Sequence, residues 1–300
     1  MASATRTSAS TASCAPPTFH TSSPSTPAAT RSACGRSTRL RGSASRSTTW
    51  QDRASVRVAL VADLHGNAVG LDAVVAEIVR DEFDEVVCLG DVAQGGPQPV
   101  ETVDRLRELG WRCVFGNSDE FLLTLDPGSE QLDEDRLARL LAVGRWSADR
   151  LGPERLELLR AYEPTVELDF AGRRLVCCHA TPASNEDVIL PDTPRDAVET
   201  ALADADVVAC GHVHLQWHRR IGRKIWFSAG SAGLVYEHTE PMSERPYEPW
   251  AEYAVLAAEP AGSLRLEFRR VPYDVDAVLA ATHASGMPDA EHFASQWQRA

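Results

Sequence analysis

Apolar residues in this chain fall into short, nearly continuous runs separated by stretches of helical periodicity. Val56, Val58, Ala59, Leu60, Val61 and Ala62 form one such run, β-branched and too short for a helix, so a buried strand is expected. It gives out in Asp63-Leu64-His65-Gly66-Asn67, after which Leu71, Val74, Val75, Ile78 and Val79 recur at helical spacing. Gly66 stands where the chain must turn and Asn67 where a helix needs its cap. A second run over 85–89 ends in Gly90-Asp91, and Gly95, Gly96, Pro97 and Pro99 mark a loop before a helix over about 100–109. A third run, 111–115, enters Gly116-Asn117-Ser118-Asp119. Strand alternating with helix predicts a parallel sheet covered on both faces.

Residues 120–163 read as a helical insertion beside that sheet, with Leu137, Leu140, Leu141 and Gly144 sharing a face. Runs at 166–170 and 174–178 predict a hairpin turning at Ala171-Gly172 and delivering His179. A helix near 194–203 leads to a strand at 207–210 that ends in Gly211-His212-Val213-His214. Another strand at 225–228 precedes Gly230-Ser231-Ala232-Gly233, and alternating runs at 253–258 and 264–271 predict a second hairpin. A last helix is capped by Asp274 and stopped by Gly286 and Pro288. Trp217, His218, Tyr236, His238 and Trp250 either line a pocket or pack the later strands.

The first 55 residues break the pattern, being rich in Ser, Thr, Ala, Arg and Pro without apolar period, and are expected to be disordered. They lack the apolar core of a secretory signal. Their composition matches an organellar transit peptide, but Pro16, Pro17, Pro24 and Pro27 oppose the amphipathic helix a mitochondrial one needs. The expectation is a dispensable tail, or a start assigned too far upstream, ahead of a folded domain over 56–300 in the cytoplasm; the transit peptide is the alternative.

Charge narrows the function classes. The chain carries −13, and its first 50 residues hold arginines at 6, 31, 36, 39, 41 and 46 with no Asp or Glu; removing those six positive charges leaves −19 on the remainder. So acidic a body is unsuited to non-specific nucleic-acid binding. No apolar run approaches the roughly 18–20 residues of a membrane span. Cysteines number seven, and Cys88, Cys113, Cys177, Cys178 and Cys210 sit in or beside apolar runs without Cys-x-x-Cys spacing, as reduced buried thiols do. Nothing in the pattern selects between a monomer and an oligomer.

Five strand-like runs end in metal-binding types: Asp63/His65, Asp91, Asn117, His179 and His212/His214. Each alone has an ordinary reading as a turn residue, a cap or a core histidine. Their common position is what stands out, because open α/β sheets build sites beyond the carboxyl ends of their strands. In an extended tip, residues two apart point the same way, so Asp63 and His65 are expected to reach one ion together.

Taken in order, Asp-x-His at 63–65, Gly-Asp at 90–91, Gly-Asn-x-Asp at 116–119, the strand-end His179 and Gly-His-x-His at 211–214 resemble the calcineurin-like metallophosphoesterase superfamily. The likeness is greatest to its short bacterial and archaeal phosphodiesterase branch, over about residues 56–274. This resemblance implies an α/β fold, a four-layer α/β/β/α sandwich, carrying a dinuclear metal centre. It implies Asp63, His65 and His214 on one ion, Asn117, His179 and His212 on the other, and Asp91 bridging them. The implied activity is hydrolysis of a small phosphoester, foremost a diester, by a hydroxide bridging the metals. Asn117, Ser118 and Asp119 form the expected catalytic group, and Asn67 and Asn117 are expected at the substrate phosphate.

Mixed imidazole and carboxylate donors suit Mn²⁺, Fe, Zn²⁺, Co²⁺ or Ni²⁺ rather than Ca²⁺, and two divalent ions, foremost Mn²⁺, are the expected cofactors. Two divalent ions bring about +4, and two carboxylates and a hydroxide leave a positive surplus for a phosphate. Two departures stand out: Ser118 occupies a position where the family often has a His that assists the leaving group, and Ala180-Thr181-Pro182 follows His179 where a Gly is commoner. Two rival readings share the scaffold. A phosphoprotein phosphatase is disfavoured by Ser118, and a non-catalytic scaffold like the superfamily's retromer subunit is disfavoured by the intact ligands.

A chain beginning at Val56 is expected to keep the melting temperature and metal-dependent activity of the full chain, because residues 1–55 offer no apolar pattern to bury. Thermal unfolding of the two proteins side by side checks this; a clear fall on truncation means that the tail packs on the domain.

Overall fold

The structure, a computed structural model, describes residues 56–128, 132–236, 246–259 and 262–297. The tail expected over 1–55 and His238 lie outside these residues. Among the described residues, ten strands form two five-stranded sheets. The first contains β1 (Val56–Val61), β2 (Glu85–Cys88), β3 (Arg112–Cys113), β9 (Trp250–Ala258) and β10 (Leu264–Pro272), in the order β10-β9-β1-β2-β3. The second contains β4 (Thr165–Asp169), β5 (Arg174–Cys178), β6 (Val207–Cys210), β7 (Gln216–Ile221) and β8 (Lys224–Ala229), in the order β4-β5-β6-β8-β7. Both are mixed: β1, β2 and β3 run parallel while β9 and β10 pair antiparallel. Likewise β5, β6 and β8 are parallel, flanked by antiparallel β4 and β7.

Alternation along each strand sorts the core into layers, because successive side chains face opposite ways. From β1, Val58, Leu60 and Ala62 join Leu175, Cys177, Val207, Ala209 and Phe227 of the second sheet in a core between the sheets. Ala59 and Val61 point outward onto Leu71, Val74 and Val75 of α1 (Ala68–Ile78) and Val103 and Leu106 of α2 (Pro99–Leu109). On the far side, Val176, Cys178, Val208 and Cys210 pack on Val198 and Leu202 of α5 (Arg195–Leu202). The result is the four-layer α/β/β/α sandwich.

The single, doubly covered parallel sheet expected from strand–helix alternation is therefore corrected to two sheets. Its central strands are buried on both faces as the continuous apolar runs require, but the second cover is another sheet. The third strand is shorter than expected, only Arg112–Cys113, and Val114 makes a lone bridge to Glu163.

The helical segment starts earlier than expected, with α3 (Asn117–Thr124) and α4 (Glu134–Arg160), the latter kinked where Gly152 leaves helical geometry before Pro153. Within α4, Leu151 and Leu159 join the helix layer on the first sheet. Gly144 lets Phe121 of α3 lie against the helix, since a Cβ there would stand 2.4 Å from the ring. Leu140, expected on the packed face, instead lines the cleft described below. After β10, α6 (Val275–Ser285) is capped by Asp274 and closed by Gly286, and α7 (Ala290–Ser295) follows. Both pack against Leu234, with Trp146 and Val143 of α4 alongside. No helix among the described residues is long and apolar enough to cross a membrane. The five cysteines from Cys88 to Cys210 are free and buried.

Candidate metal centre

The ends of β1, β2, β5 and β6 and the start of α3 lie side by side, and backbone hydrogen bonds lock them together. Asp63 N donates to Gly90 O (3.0 Å), His65 N to Asp91 O (2.9 Å) and Gly211 N to His179 O (2.8 Å). The expectation of an extended tip at Asp63–His65 is corrected here. Asp63, His65, Asp91, His212 and His214 all have positive φ, between 45° and 71°. Each turn is made by the donor-bearing residue itself, a conformation that costs a non-glycine residue about 1–3 kcal/mol and clusters at functional sites. Glycines permit the close approach: a Cβ on Gly116 would stand 2.2 Å from Asp91 Oδ1, and one on Gly211 2.5 Å from Asp63 Oδ2. These contacts account for the glycine preceding Asn117 and the one preceding His212.

All seven expected metal ligands gather at this edge. Asp63, His65 and His214 offer donor atoms within 4.8 Å of one another, and so do Asp63, Asp91 and His179. Asp91 faces both ways, with Oδ2 3.6 Å from His65 Nε2 and Oδ1 3.4 Å from His179 Nε2. Asn117 Oδ1 lies 2.9 Å from His179 Nε2 and 3.0 Å from His212 Nδ1.

All four histidines meet a backbone carbonyl, His212 through Nε2 (Glu186 O, 3.2 Å) and the other three through Nδ1. His65 Nδ1 donates to Gln94 O (2.8 Å), His179 Nδ1 to Leu89 O (2.8 Å) and His214 Nδ1 to Leu234 O (2.5 Å). A carbonyl accepts only, so each Nδ1 carries the proton and each Nε2 faces the centre. His65 Nε2 and His214 Nε2 then stand 2.9 Å apart. Burial lowers the pKa of His65, and burial together with the neighbouring His65 takes His214 well below its ordinary value, so both rings are neutral at pH 7. Two neutral Nε2 lone pairs at that separation repel, and a cation accepting both removes the conflict. The donor set therefore fits divalent metal.

The remaining charges are divided. Burial opposes ionisation of Asp91, but His179, His65 and His212 around it hold its carboxyl well below the usual range. Burial, reinforced by Asp91, raises Asp63, with His179 pulling the other way. His212 is pushed down to about 4 by burial and by His179. His179 alone goes up, to about 10, as the Asp91 and Asp63 carboxylates outweigh its burial. His65, His212 and His214, neutral beside an ionised Asp91, are in the forms that bind metal, whereas His179 and Asp63 must give up protons to an incoming ion.

The other expected site residues do not all face the centre. Asn67, expected at the phosphate, is fully buried; its Oδ1 caps α1 by accepting from Gly70 N (3.0 Å), and its Nδ2 donates to Gly233 O (2.8 Å). Its side chain is committed inside the fold, so that expectation is corrected. Asp119, expected in the catalytic group, is also buried: Oδ2 accepts from Asp91 N and Gly116 N (3.0 and 3.1 Å), and Oδ1 from Val92 N (2.9 Å). It is a positioning residue for the Asp91 loop, with a pKa raised to about 7 by burial and by Asp91. Ser118 touches the centre through Asp91 alone, its N–H donating to Oδ1 (2.8 Å) and its Oγ–H to Oδ2 (2.7 Å).

One positioning residue was not anticipated. Ser231 Oγ donates to Asp63 O (2.8 Å) and accepts from Leu234 N (2.8 Å), tying the Gly230–Gly233 turn to the β1 end. Its only sequence signal is a serine between glycines after a strand. Trp217 packs on Trp226 between strands (ring centroids 6.3 Å apart), and His218 is exposed beside Phe268 (6.3 Å). Tyr236 lies 5.0 Å from the His214 ring, at the centre's rim.

A fold of this kind with Asp/His clusters at its strand ends defines a metallophosphoesterase scaffold. Residues 56–243 match the calcineurin-like phosphoesterase superfamily domain, and the chain belongs to that superfamily. It is 28% identical over 160 residues to an uncharacterised protein of Methanocaldococcus jannaschii, covering 53% of this chain and 62% of the relative, less than two thirds of its length. Among solved structures, a metallophosphoesterase from Sphaerobacter thermophilus aligns with a TM-score of 0.61 at 22% identity, over 80% of this chain and 97% of that one. A hypothetical protein from Pyrococcus horikoshii aligns with a TM-score of 0.66 at 18% identity, over 81% and 98%. Both likenesses are of fold.

Ser118→Ala removes the hydroxyl donor to Asp91 and should weaken metal affinity by about 10–100-fold, the usual effect of losing a group that orients a ligand. Titration of metal-free protein with Mn²⁺ measures this; an unchanged affinity means that the Ser118 hydroxyl does not orient Asp91.

Proposed function

We propose that the protein is a metal-dependent phosphoester hydrolase acting on small diesters, with Mn²⁺ the first ion to test. The observation that carries this reading is the convergence of His65 Nε2 and His214 Nε2, 2.9 Å apart with their protons spent elsewhere, beside an ionised Asp91. Asp63, His65 and His214 would hold one ion, Asn117, His179 and His212 a second, and Asp91, with one oxygen toward each group, would serve both. Bound there, two divalent ions supply Lewis acidity to the phosphoryl group and a clamp on the attacking and leaving oxygens of an in-line displacement.

The chain's own residues do the rest. Carbonyls at Leu89, Gln94 and Leu234 fix three imidazoles, Ser118 holds both Asp91 oxygens, and Asp119 holds the Asp91 loop. Diester preference is supported by space: one cavity of about 410 Å³ includes His65 and His214 in its lining, and another of about 490 Å³ includes Asn117 and His212. A phosphate between them has room for an organic group on each side. Ser118 points its hydroxyl at Asp91, so good leaving groups are favoured over alkoxides, which gain most from a proton donor. The free, buried thiols are consistent with work in the cytoplasm.

Protein stripped with chelator and reloaded separately with Mn²⁺, Fe²⁺, Zn²⁺, Co²⁺ or Ni²⁺ should hydrolyse an aryl diester faster than an aryl monoester, an alkyl diester, a cyclic nucleotide or a phosphopeptide. Asp91→Asn should lose both ions and measurable turnover. Wild-type turnover by the stripped protein, or by Asp91→Asn with two ions retained, contradicts the proposal; a phosphopeptide as best substrate points to a phosphoprotein phosphatase.

A further inference from the structure

The two cavities differ in chemistry. On the His65/His214 side, rings run outward from the centre: Tyr236 lies 5.0 Å from His214 and 6.5 Å from Tyr247, which lies 5.9 Å from Phe293. The same cavity takes Arg136 and Arg139 from the first turns of α4 into its lining. Arg136 is exposed, and Arg139 has Asp289 at 3.8 Å, so two guanidiniums face one carboxylate. On the Asn117/His212 side the described lining carries Glu120, Asp126 and Glu186 and no Arg or Lys. Gln94 and Leu140 line both cavities, which therefore adjoin across the centre.

We propose that the His65/His214-side cavity is a second binding subsite, for an unsaturated ring carrying its own negative charge, recognised by the Tyr236–Tyr247–Phe293 rings and by Arg136 and Arg139. The proposal rests on the phosphodiester reading for where the phosphate sits. Aromatic walls favour the flat face of a ring over a saturated group of the same size. Guanidinium groups pair with carboxylate or phosphate through charge-assisted hydrogen bonds. The acidic flank repels the same group, so the cleft admits such a diester in one direction. A volume of about 410 Å³ lies within the range of small-molecule pockets.

The test uses three non-hydrolysable probes on the manganese-loaded full chain: (4-carboxyphenyl)phosphonate, phenylphosphonate and cyclohexylphosphonate, by isothermal titration. The carboxyphenyl probe should bind about tenfold more tightly than the phenyl probe, the gain from one charge-assisted contact. The cyclohexyl probe should be weakest. In Arg136→Glu, and to a lesser degree in Arg139→Gln, the ratio of carboxyphenyl to phenyl affinity should fall toward one or below. Arg195→Glu, the same charge change on α5 outside the cavity, should leave that ratio alone. Equal affinities for all three probes, a ratio that neither arginine change moves, or no binding of any probe overturns the subsite. Turnover of methyl 4-nitrophenyl phosphate is measured in parallel. Turnover without probe preference removes the subsite and keeps the hydrolase; probe preference without turnover under any metal does the reverse.

Discussion

At the strand ends the fold buries a set of electron-pair donors with too few protons to share. His65 and His214 present unprotonated Nε2 atoms to each other at 2.9 Å, next to Asp63 and Asp91, which are all but inaccessible to solvent. Burying an ionised Asp91, with Asp63 pushed toward its protonated form beside it, and opposed lone pairs is unfavourable unless a cation neutralises them. Beside them the Asp91 and Asp63 carboxyl groups draw the His179 pKa up to about 10 against its burial. The sandwich is the frame that keeps these groups from moving apart. Its four layers fix β1, β2, β5 and β6, and hydrogen bonds between their ends set the spacing of the turns.

Those turns are where stability is given up for geometry. Asp63, His65, Asp91, His212 and His214 adopt left-handed backbone that glycine would adopt more easily. Compensation comes from groups with no part in binding metal. Asp119 accepts three backbone N–H groups around the Asp91 loop, Ser231 ties Asp63 to the Gly230–Gly233 turn, and Asn67 joins α1 to Gly233. The same scaffold leaves room outside the centre, where α4, α6 and α7 supply walls that the strand-end motifs do not encode.

Much of this was legible in the sequence because metal ligation demands particular side chains, and strand ends announce themselves by apolar runs that stop. The seven donors and the helix starting after Asn67 were readable that way. What covers a strand was not. The run at 56–62 states that both faces are buried, but helix or sheet on the second face gives the same pattern. β7 escaped notice because only Trp217 and Ile221 of Gln216–Ile221 turn inward, while His218 and Arg220 face solvent. Asn67 shows a different limit: its position predicts both a helix cap and a phosphate contact, and one amide has done the first. Asp119, three residues beyond Gly116, stands where a carboxylate returns to the backbone at a helix start, and that local preference prevailed over a catalytic role. The left-handed turns were invisible, since Asp and His are not residues whose presence predicts positive φ as glycine does.

Anomalous diffraction from crystals of the manganese-loaded protein locates the ions themselves. Two peaks are expected about 3.5–4 Å apart, the spacing of two-metal centres, one beside Asp63, His65 and His214 and the other beside Asn117, His179 and His212, with Asp91 between them. A single peak, or two peaks away from Asp91, would contradict this arrangement.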